Sequence, residues 1–434
     1  MYAPIDILED KLLHDKPGLL EVLLKDHTTE KNIFWATGSY KQRGEGYKKL
    51  DPITPEAITG DNGDVIRPRA VKAREEQQQR SREMAEVFTP SWLCNEMINV
   101  ADAEWFGRRD VFNTVDHDHR WHPQPAPIAM PEGKTWQDYV LTTRLEITCG
   151  EAPFLVSRYD TVTGEAIPID SRIGILDRKL RIVAENATDE EWPRWALLAL
   201  GSCYGYEWQG DSLLLAREAV VETFAEYYEQ RFDKPVGDDL LEKAAEIVSW
   251  NLWQMDGLKG VVPCSCRVVT EVIPNLFSTE TKVTPCAGCA TDDITKHNGL
   301  YCQFRRWLQS ADTMPDNFAF TIKDIIIQKY KTFNKIKYPM KFDFIIGNPP
   351  YQEETKDTSD KPVYDGFING SYQISSKVLL ITPARFLFNA GKTPKAWNEK
   401  MLADKHLKVL EYQQVSGNVF PNTDIRGGDS HNLP

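Results

Sequence analysis

The fold is indicated most clearly by Phe342-Asp-Phe-Ile-Ile-Gly-Asn-Pro-Pro-Tyr351, where an apolar strand runs directly into a turn with two prolines. Consecutive prolines stop a strand ladder and fix the backbone, so the Asn348 side chain and a proline carbonyl can point the same way. Together they offer two acceptors to an amino group that donates two hydrogen bonds. Tyr351 adds an aromatic face on which a planar base can stack. The alternative is an ordinary Asn-Pro-Pro turn without a chemical role.

The pattern around this stretch alternates between strand and helix from about residue 136 onward. A helix is predicted at 212–231, and another is predicted to begin after Thr89 and Pro90, with the threonine as its cap. The alternation is typical of an α/β fold with a mostly parallel sheet covered on both faces. Six segments are predicted as strands: 144–148, 203–207, 246–254, 342–347, 378–382 and 407–412.

Length and composition indicate a globular chain of two to three structural units. The chain has 434 residues, of which 41% are hydrophobic and 26% charged, close to the average of globular proteins. No apolar run reaches the roughly 18 residues that a membrane helix needs, and residues 1–14 carry acidic side chains where a secretory signal would carry lysines. We therefore expect a cytoplasmic protein that does not contact a membrane.

The net charge argues against a protein that coats nucleic acid through its overall field. With 51 basic and 64 acidic residues the formal charge is −13, so any contact with nucleic acid must be local. A local basic run exists, and it is either a phosphate track or a solvated face. Its members are Lys329, Lys331, Lys335, Lys337 and Lys341.

The turn at the end of the apolar strand resembles the catalytic motif of adenine-N6-specific DNA methyltransferases of restriction-modification systems, the type II and type IIG methylases. The resemblance implies a class I S-adenosylmethionine-dependent methyltransferase fold, which is a Rossmann-like, mostly parallel sheet. It also implies methylation of adenine N6 in double-stranded DNA, with the target adenine flipped out of the duplex. The catalytic residues by this resemblance are Asn348, Pro349, Pro350 and Tyr351.

Four upstream segments resemble the cofactor motifs of the same family, in the same order. They are Glu86-Val-Phe-Thr-Pro90, Leu145-Glu-Ile-Thr-Cys-Gly-Glu-Ala-Pro-Phe154, Tyr204-Gly-Tyr-Glu207 and Asn251-Leu-Trp-Gln-Met-Asp256. Ala152 departs from the family, which usually has a second glycine there, and its methyl group puts cofactor affinity in question. The residues that the resemblance assigns to S-adenosylmethionine are Thr89, Pro90, Glu146, Thr148, Gly150, Glu207, Asp256 and Asn348.

A cysteine-rich segment interrupts the alternation at about 261–302 and predicts a zinc-ribbon-like insertion. Paired short spacings separated by a loop are what a tetrahedral zinc site needs, and four protein ligands make such a site structural. His297 and Cys302 are expected to pack elsewhere, and unliganded thiols are the alternative to zinc. The predicted ligands are Cys264, Cys266, Cys286 and Cys289.

The two ends of the chain frame this catalytic domain. Residues 1–82 are predicted to be an N-terminal accessory region that ends in an exposed helix at 72–82, and residues 83–434 the methyltransferase domain. An apolar strand is expected at residues 429–434, but this tail is polar and is not predicted to form a strand. The sequence therefore predicts a truncated domain. A recognition domain also does not follow, so we expect little sequence-specific methylation by this chain alone, with a restriction subunit or a separate recognition domain as partner.

Two other functions stay open at this point. Asn-Pro-Pro-Tyr also occurs in methyltransferases that act on a protein glutamine or another planar amine. A truncated, noncatalytic fragment is the third possibility. The length, the insertion and the Phe-Thr-Pro segment favour DNA.

Overall fold

The computed structural model describes most of the chain. The described residues are 9–16, 18–72, 89–274, 279–307, 319–328, 331–333, 336–338, 341–353, 361–420 and 429–433. Three sequence-based predictions fall partly outside them: Glu86 and its two successors, Lys329 and Lys335 of the basic run, and all but the first residue of the 72–82 helix.

A seven-stranded sheet forms the centre of the described structure, in the order β6-β7-β5-β4-β1-β2-β3. The five strands from β5 to β3 are parallel, and β7 runs antiparallel to both of its neighbours. This confirms the predicted α/β class with a mostly parallel sheet. The strands are β1 (Arg144–Ile147), β2 (Cys203–Glu207), β3 (Leu252–Gln254), β4 (Phe344–Gly347), β5 (Val378–Pro383), β6 (Lys408–Gln413) and β7 (Asp429–Leu433).

Helices cover both faces of this sheet, so successive side chains of one strand enter two different cores. Ile345 of β4 belongs to one buried cluster and Ile346 to the other. Burial on both faces explains why β1, β4 and β5 read as continuous apolar runs rather than as alternating patterns. The helices are α1 (Glu9–Asp15), α2 (Leu19–Leu24), α3 (Pro55–Ile58), α4 (Ser91–Phe106), α5 (Trp136–Leu141), α6 (Ile175–Asn186), α7 (Trp192–Gly201), α8 (Gly210–Phe232), α9 (Asp238–Asn251), α10 (Ala287–Thr291), α11 (Ile322–Ile326), α12 (Tyr364–Ile374) and α13 (Lys395–Ala403).

The described structure also contains two-stranded antiparallel pairs that are separate from the central sheet. The pair Val269–Pro274 with Thr279–Thr284 lies inside the cysteine-rich insertion, between its two groups of cysteines. The other pairs are Lys25–Asp26 with Lys31–Asn32, Asn113–Val115 with Trp121–Pro123, Gln303–Arg305 with Ala319–Thr321, Lys331–Phe333 with Ile336–Tyr338, and Gln352–Glu353 with Lys361–Pro362.

The third predicted strand was wrong over most of its length. Residues 246–251 are the last part of α9, and only Leu252–Gln254 form a strand. The buried residues Leu241, Ala244 and Val248 recur at helical spacing along α9, so its period is that of an amphipathic helix. The local run of branched and aromatic residues near 247–253 is typical of a strand and hid that period.

The expectation that the tail cannot form a strand was also wrong. Asp429–Leu433 pairs as β7 with both β5 and β6, through Leu380 opposite Asn432 and Val409 opposite Asn432. Two neighbouring strands offer backbone donors and acceptors on both sides, and satisfying them outweighs the low strand propensity of polar residues. Strand β7 is therefore the neighbour of β5 that was expected to be missing.

The N-terminal residues pack into the same core as the sheet. Leu20, Leu23 and Trp35 are fully buried in the cluster that contains α8 and α9. Arg217 of α8 donates hydrogen bonds to the carbonyl oxygens of Leu23 and Lys25. The boundary at residue 82 stays a prediction, but the described part of the accessory region is joined to the catalytic domain.

A buried ionic network ties α4, α6 and β1 together. Asp102 is fully buried and lies 2.7 Å from the Arg144 guanidinium and 2.6 Å from that of Arg178. Tyr139 donates a third hydrogen bond to it over 2.9 Å. Burial opposes ionisation of Asp102, but the two arginines prevail and lower its pKa.

We predict that Asp102→Ala destabilises the protein by about 3–5 kcal/mol, because it leaves two buried guanidinium groups without their carboxylate. The measurement is the urea unfolding midpoint. Because the pKa of Asp102 is lower in the folded than in the unfolded chain, its contribution is present above about pH 4 and is lost as the pH falls further.

The matched control is Asp189→Ala, which removes a carboxylate paired with Arg231 at an exposed position. Such a surface pair contributes about 0–1 kcal/mol. Equal losses for the two variants would contradict the role given to the buried network.

Candidate active site and cysteine cluster

The sequence-predicted site residues meet at the carboxyl edge of the parallel sheet. Strands β1, β2, β3 and β4 all end at this edge, and the chain order reverses between β1 and its neighbour β4. Crevices that bind ligands in open α/β sheets form at such a reversal. The loops that follow β1 and β4 therefore face each other across the natural binding crevice of this fold.

The register of β4 on β1 is fixed at both ends of the pair. At the start, Asp343 accepts hydrogen bonds from the Thr143 backbone N–H (2.7 Å) and hydroxyl (2.8 Å). At the end, a side chain at Gly347 would put its Cβ 2.6 Å from Ile147, so only glycine allows the two backbones to approach. As a result Asn348 follows β4 directly beside Thr148, whose hydroxyl lies 3.4 Å from the Asn348 carbonyl oxygen.

The Asn348 amide group is held by two side chains. Its Nδ2 donates to the Thr89 hydroxyl over 3.3 Å, and its Oδ1 accepts from the Tyr351 hydroxyl over 2.9 Å. The predicted capping role of Thr89 was wrong, because Pro90 is the N-cap of α4 and the Asp160 carboxylate accepts the hydrogen bond of the Ser91 N–H at the start of that helix. The structure thus brings Thr89, Asn348 and Tyr351 together, although Thr89 is 259 residues away from Asn348.

The loop after β1 is shaped by a buried carboxyl group. Glu146 accepts hydrogen bonds from the backbone N–H groups of Phe154 (3.4 Å) and Leu155 (3.0 Å). Burial, together with the nearby charge of Glu207, raises the pKa of Glu146 well above its usual range. Glu146, which the resemblance assigned to the cofactor, contacts the backbone of the loop and thereby holds its shape.

Left-handed backbone recurs along this loop at three alternate positions. Thr148, Gly150 and Ala152 have φ angles of 47°, 52° and 61°. Ala152, which departs from the family pattern, therefore occupies a conformation that favours glycine, at a strain of about 1–2 kcal/mol. The Ala152 side chain is fully buried in this conformation.

Glu207 is the last residue of β2, and Asp256 follows shortly after the end of β3. The Glu207 carboxylate accepts from the backbone N–H groups of Gly150 (3.0 Å) and Gln209 (3.1 Å). Asp256 comes two residues after β3, and its carboxylate pairs with Lys259 at 2.8 Å. These two acids lie on adjacent strands, since the Met255 N–H donates to the Glu207 carbonyl oxygen over 2.8 Å.

The cysteine-rich insertion brings four possible metal ligands together, and one of them differs from the prediction. The sulfurs of Cys266, Cys286 and Cys289 lie 3.5, 3.5 and 3.6 Å from Nδ1 of His297. The four ligand atoms all lie within 4.8 Å of one another. The structure differs here from the predicted set: Cys264 is exposed and lies outside the cluster, whereas His297, which was expected to pack elsewhere, lies within it.

The placement of Cys302 agrees with the expectation that it packs elsewhere. Its thiol is fully buried and donates to the Gln254 carbonyl oxygen over 3.1 Å. The sequence holds one local feature that points to His297, the glycine at position 288. A Cβ at Gly288 would lie 2.6 Å from the His297 ring, so the glycine inside Cys286-Ala-Gly-Cys289 makes room for that histidine.

Comparison with known proteins shows which families this chain resembles. The family model described as Eco57I restriction-modification methylase matches residues 236–420, which include Asp256, the cysteine cluster and Asn348. A protein of Mycoplasma pneumoniae (strain ATCC 29342 / M129 / Subtype 1), named an uncharacterized adenine-specific methylase, is 26% identical over 168 residues. That alignment covers 37% of this chain and 37% of the Mycoplasma protein.

The described helices include none that is long and apolar enough to cross a membrane. The sheet is consistent with a class I methyltransferase fold. The family match over residues 236–420 and the similarity to the Mycoplasma protein therefore confirm the resemblance to the adenine methyltransferases of restriction-modification systems.

Proposed function

We propose that this chain transfers a methyl group from S-adenosylmethionine to N6 of adenine in DNA, as the modification component of a restriction-modification system. The observation that carries the proposal is the position of Asn348. Its amide group lies directly after β4, at the point where the chain order of the sheet reverses, and beside the Tyr351 ring. The family match over residues 236–420 supports the same reaction class.

The side chains at the strand ends fit S-adenosylmethionine as cofactor. Glu207 and Asp256 offer carboxylate oxygens, the acceptors that the hydroxyl groups and the amino group of an adenosine require. Gly150 leaves backbone free of a side chain next to Glu207, where a ligand can approach closely. Thr89, Pro90, Thr148 and Asn348 complete the proposed set, with Glu146 holding the loop. When bound, the cofactor supplies the electrophilic methyl group.

The chain's own contribution to the reaction is to orient the adenine amino group. Asn348 Oδ1 and the Pro349 carbonyl oxygen accept its two hydrogens, and Pro350 keeps the turn rigid. Accepting both hydrogens turns the nitrogen lone pair out of conjugation with the ring and toward the methyl donor. An amide oxygen has two lone pairs, so Asn348 Oδ1 can accept from the amino group as well as from the Tyr351 hydroxyl that donates to it in the structure. The Tyr351 ring serves as the stacking face for the flipped base.

DNA is the substrate that the observations favour over a protein glutamine. Both the family description and the name of the Mycoplasma protein refer to methylases of the restriction-modification or adenine-specific kind. The noncatalytic alternative loses one of its two arguments, because β7 supplies the neighbour of β5. We place the reaction in the cytoplasm, on double-stranded DNA, with a recognition domain or restriction subunit as partner.

We predict that Asn348→Ala lowers methyl transfer to DNA by about a hundredfold to a thousandfold, because it removes one of two preorganised acceptors. The measurement is transfer of labelled methyl from S-adenosylmethionine to duplex DNA at low salt, which offsets the repulsion expected from a net charge of −13. Cofactor affinity, measured by calorimetry, should remain largely intact.

The control for this prediction is Asn186→Ala, the same change at the end of α6. Its activity should equal that of the wild type. Near-normal turnover by Asn348→Ala would contradict the assignment, and transfer of label to added protein but not to DNA would favour the glutamine alternative.

Tyr351 allows a second prediction with an internal control. Tyr351→Ala should lower DNA methylation by about 1–3 kcal/mol in transition-state stabilisation, the usual contribution of a base stacked on an aromatic ring. Tyr351→Phe keeps the ring and loses only the hydroxyl that donates to Asn348 Oδ1, so it should stay within about threefold of the wild type. If both variants lose activity equally, the hydroxyl rather than the ring is the part that matters.

We also propose that Cys266, Cys286, Cys289 and His297 bind one structural Zn²⁺. Tetrahedral zinc, with Zn–S of about 2.3 Å and Zn–N of about 2.0 Å, separates sulfur from nitrogen by about 3.5 Å. The observed separations of 3.5 to 3.6 Å agree with that value. Four protein ligands leave no open position for a substrate, so the proposed role is structural.

Elemental analysis of the purified chain should find close to one zinc ion per molecule. His297→Ala and Cys289→Ser should lose it, with the insertion becoming protease-sensitive because metal binding and local folding are coupled. Cys264→Ser is the matched control, since it changes a second exposed cysteine that lies outside the cluster. Zinc retained in His297→Ala but lost in Cys264→Ser would restore the four-cysteine set.

A further inference from the structure

Lys259 is paired with Asp256, one of the acids of the proposed cofactor site. Its ammonium lies 2.8 Å from the Asp256 carboxylate, which is itself almost fully buried. Burial opposes the charge of Lys259, but Asp256 first, and then Cys289 and Cys266, raise its pKa.

We call the segment 256–262 the Asp256 loop. Its backbone makes hydrogen bonds within the loop and to the cysteine-rich insertion. Within the loop, the Asp256 N–H donates to the Val261 carbonyl oxygen over 2.8 Å, and the Gly260 N–H donates back to Asp256 over 2.8 Å. Toward the insertion, the Val262 N–H donates to the Leu300 carbonyl oxygen over 2.8 Å. The Asp256 loop is thus paired with the segment that begins just after His297.

The segment after His297 makes hydrogen bonds with the turns that carry the proposed zinc ligands. The Tyr301 hydroxyl accepts from the His297 backbone N–H over 3.0 Å and donates to the Ile294 carbonyl oxygen over 2.9 Å. The Leu300 N–H donates to the hydroxyl of Ser265, the neighbour of Cys266, over 3.1 Å. A displacement of His297 or Cys266 would therefore act directly on the strand of backbone that holds the Asp256 loop.

On its other side the Asp256 loop fits closely against the sheet. A Cβ at Gly257 would lie 2.7 Å from the rings of both Tyr206 and Phe367. Just before the loop, the Met255 N–H bonds to the carbonyl oxygen of Glu207. The loop consequently spans the distance between the crevice at the strand ends and the cysteine cluster, with tight packing at one end and hydrogen bonds at the other.

We infer that the metal centre formed by Cys266, Cys286, Cys289 and His297 orders the Asp256 loop and so sets the affinity for S-adenosylmethionine, with Lys259 as the residue that positions the Asp256 carboxylate. The affinity part of this inference rests on the proposed function. The ordering part rests on the proposed zinc site but not on methyl transfer or cofactor binding. The metal is thereby linked to cofactor binding without touching the cofactor or the substrate.

Hydrogen exchange tests the ordering part. The full chain is compared with zinc bound, after zinc removal by a chelator, and after zinc is returned. We expect the amides of Asp256, Gly260 and Val262 to exchange at least about tenfold faster without zinc and to recover when it is returned, since local opening governs their exchange. Amides of β1 should be unchanged. Equal protection of the loop with and without zinc overturns the inference.

Calorimetry with S-adenosylmethionine tests the affinity part. Removal of zinc should weaken binding by at least about fivefold, the lower range for coupling between two sites. Lys259→Met should also weaken binding by about fivefold or more while zinc content stays at one per chain. Lys259→Arg, which keeps the positive charge, should restore most of the affinity. This rescue distinguishes positioning of Asp256 from a general loss of stability.

The matched control is Lys296→Met. Lys296 pairs with Asp293 at the same spacing of three residues inside the insertion, at a more exposed position. It should leave both zinc content and cofactor affinity unchanged. Unchanged affinity in Lys259→Met, or in the zinc-free chain that still shows the wild-type circular dichroism of its sheet and helices, overturns the inference alone. No binding of S-adenosylmethionine by the zinc-loaded wild type contradicts the proposed function, whereas the exchange experiment still decides the ordering part.

Discussion

The pairing of β4 with β1 is the constraint on which the candidate site depends. Asp343 and Thr143 fix its start through reciprocal hydrogen bonds, and the absence of a side chain at Gly347 allows the close approach at its end. A shift of one residue would turn Asn348 to the other face of the sheet, since strand side chains alternate. The two prolines then prevent the strand from continuing past this point. Register and proline together deliver Asn348 to the crevice beside the β1 loop.

Much of the fold could be predicted from the sequence because the sheet is buried on both faces. Five of the six predicted strands lie where β1, β2, β4, β5 and β6 are found, and α8 and the start of α4 also agree. What was missed depends on partners that are distant in sequence. Strand β7 has polar side chains and exists because β5 and β6 leave a place between them. In α9 the helical period is carried by small residues such as Ala244 and Ala245, which give a weak apolar signal.

The candidate site shows the same division. Motif order pointed to the carboxyl ends of β1 to β4, and the structure gathers Thr148, Glu207, Asp256 and Asn348 at that edge. The details of their hydrogen bonds could not be read from spacing. Glu146 contacts the backbone of its own loop. Cys264 lies outside the cysteine cluster and His297, 33 residues later in the chain, lies within it, because such clusters are decided by three-dimensional proximity and not by spacing alone. A glycine that a buried ring requires is a local clue to such a partner.

The central claim is that the Asn348 turn presents the amino group of an adenine to a methyl donor. It is tested most directly by identifying the methylated nucleoside. Duplex DNA is incubated with the purified chain and S-adenosylmethionine carrying a labelled methyl group, digested to nucleosides, and analysed by mass spectrometry. The account predicts that the label appears in N6-methyl-2′-deoxyadenosine and that none appears with Asn348→Ala. Label in a methylated cytosine, or in DNA treated with Asn348→Ala at the wild-type rate, would contradict it.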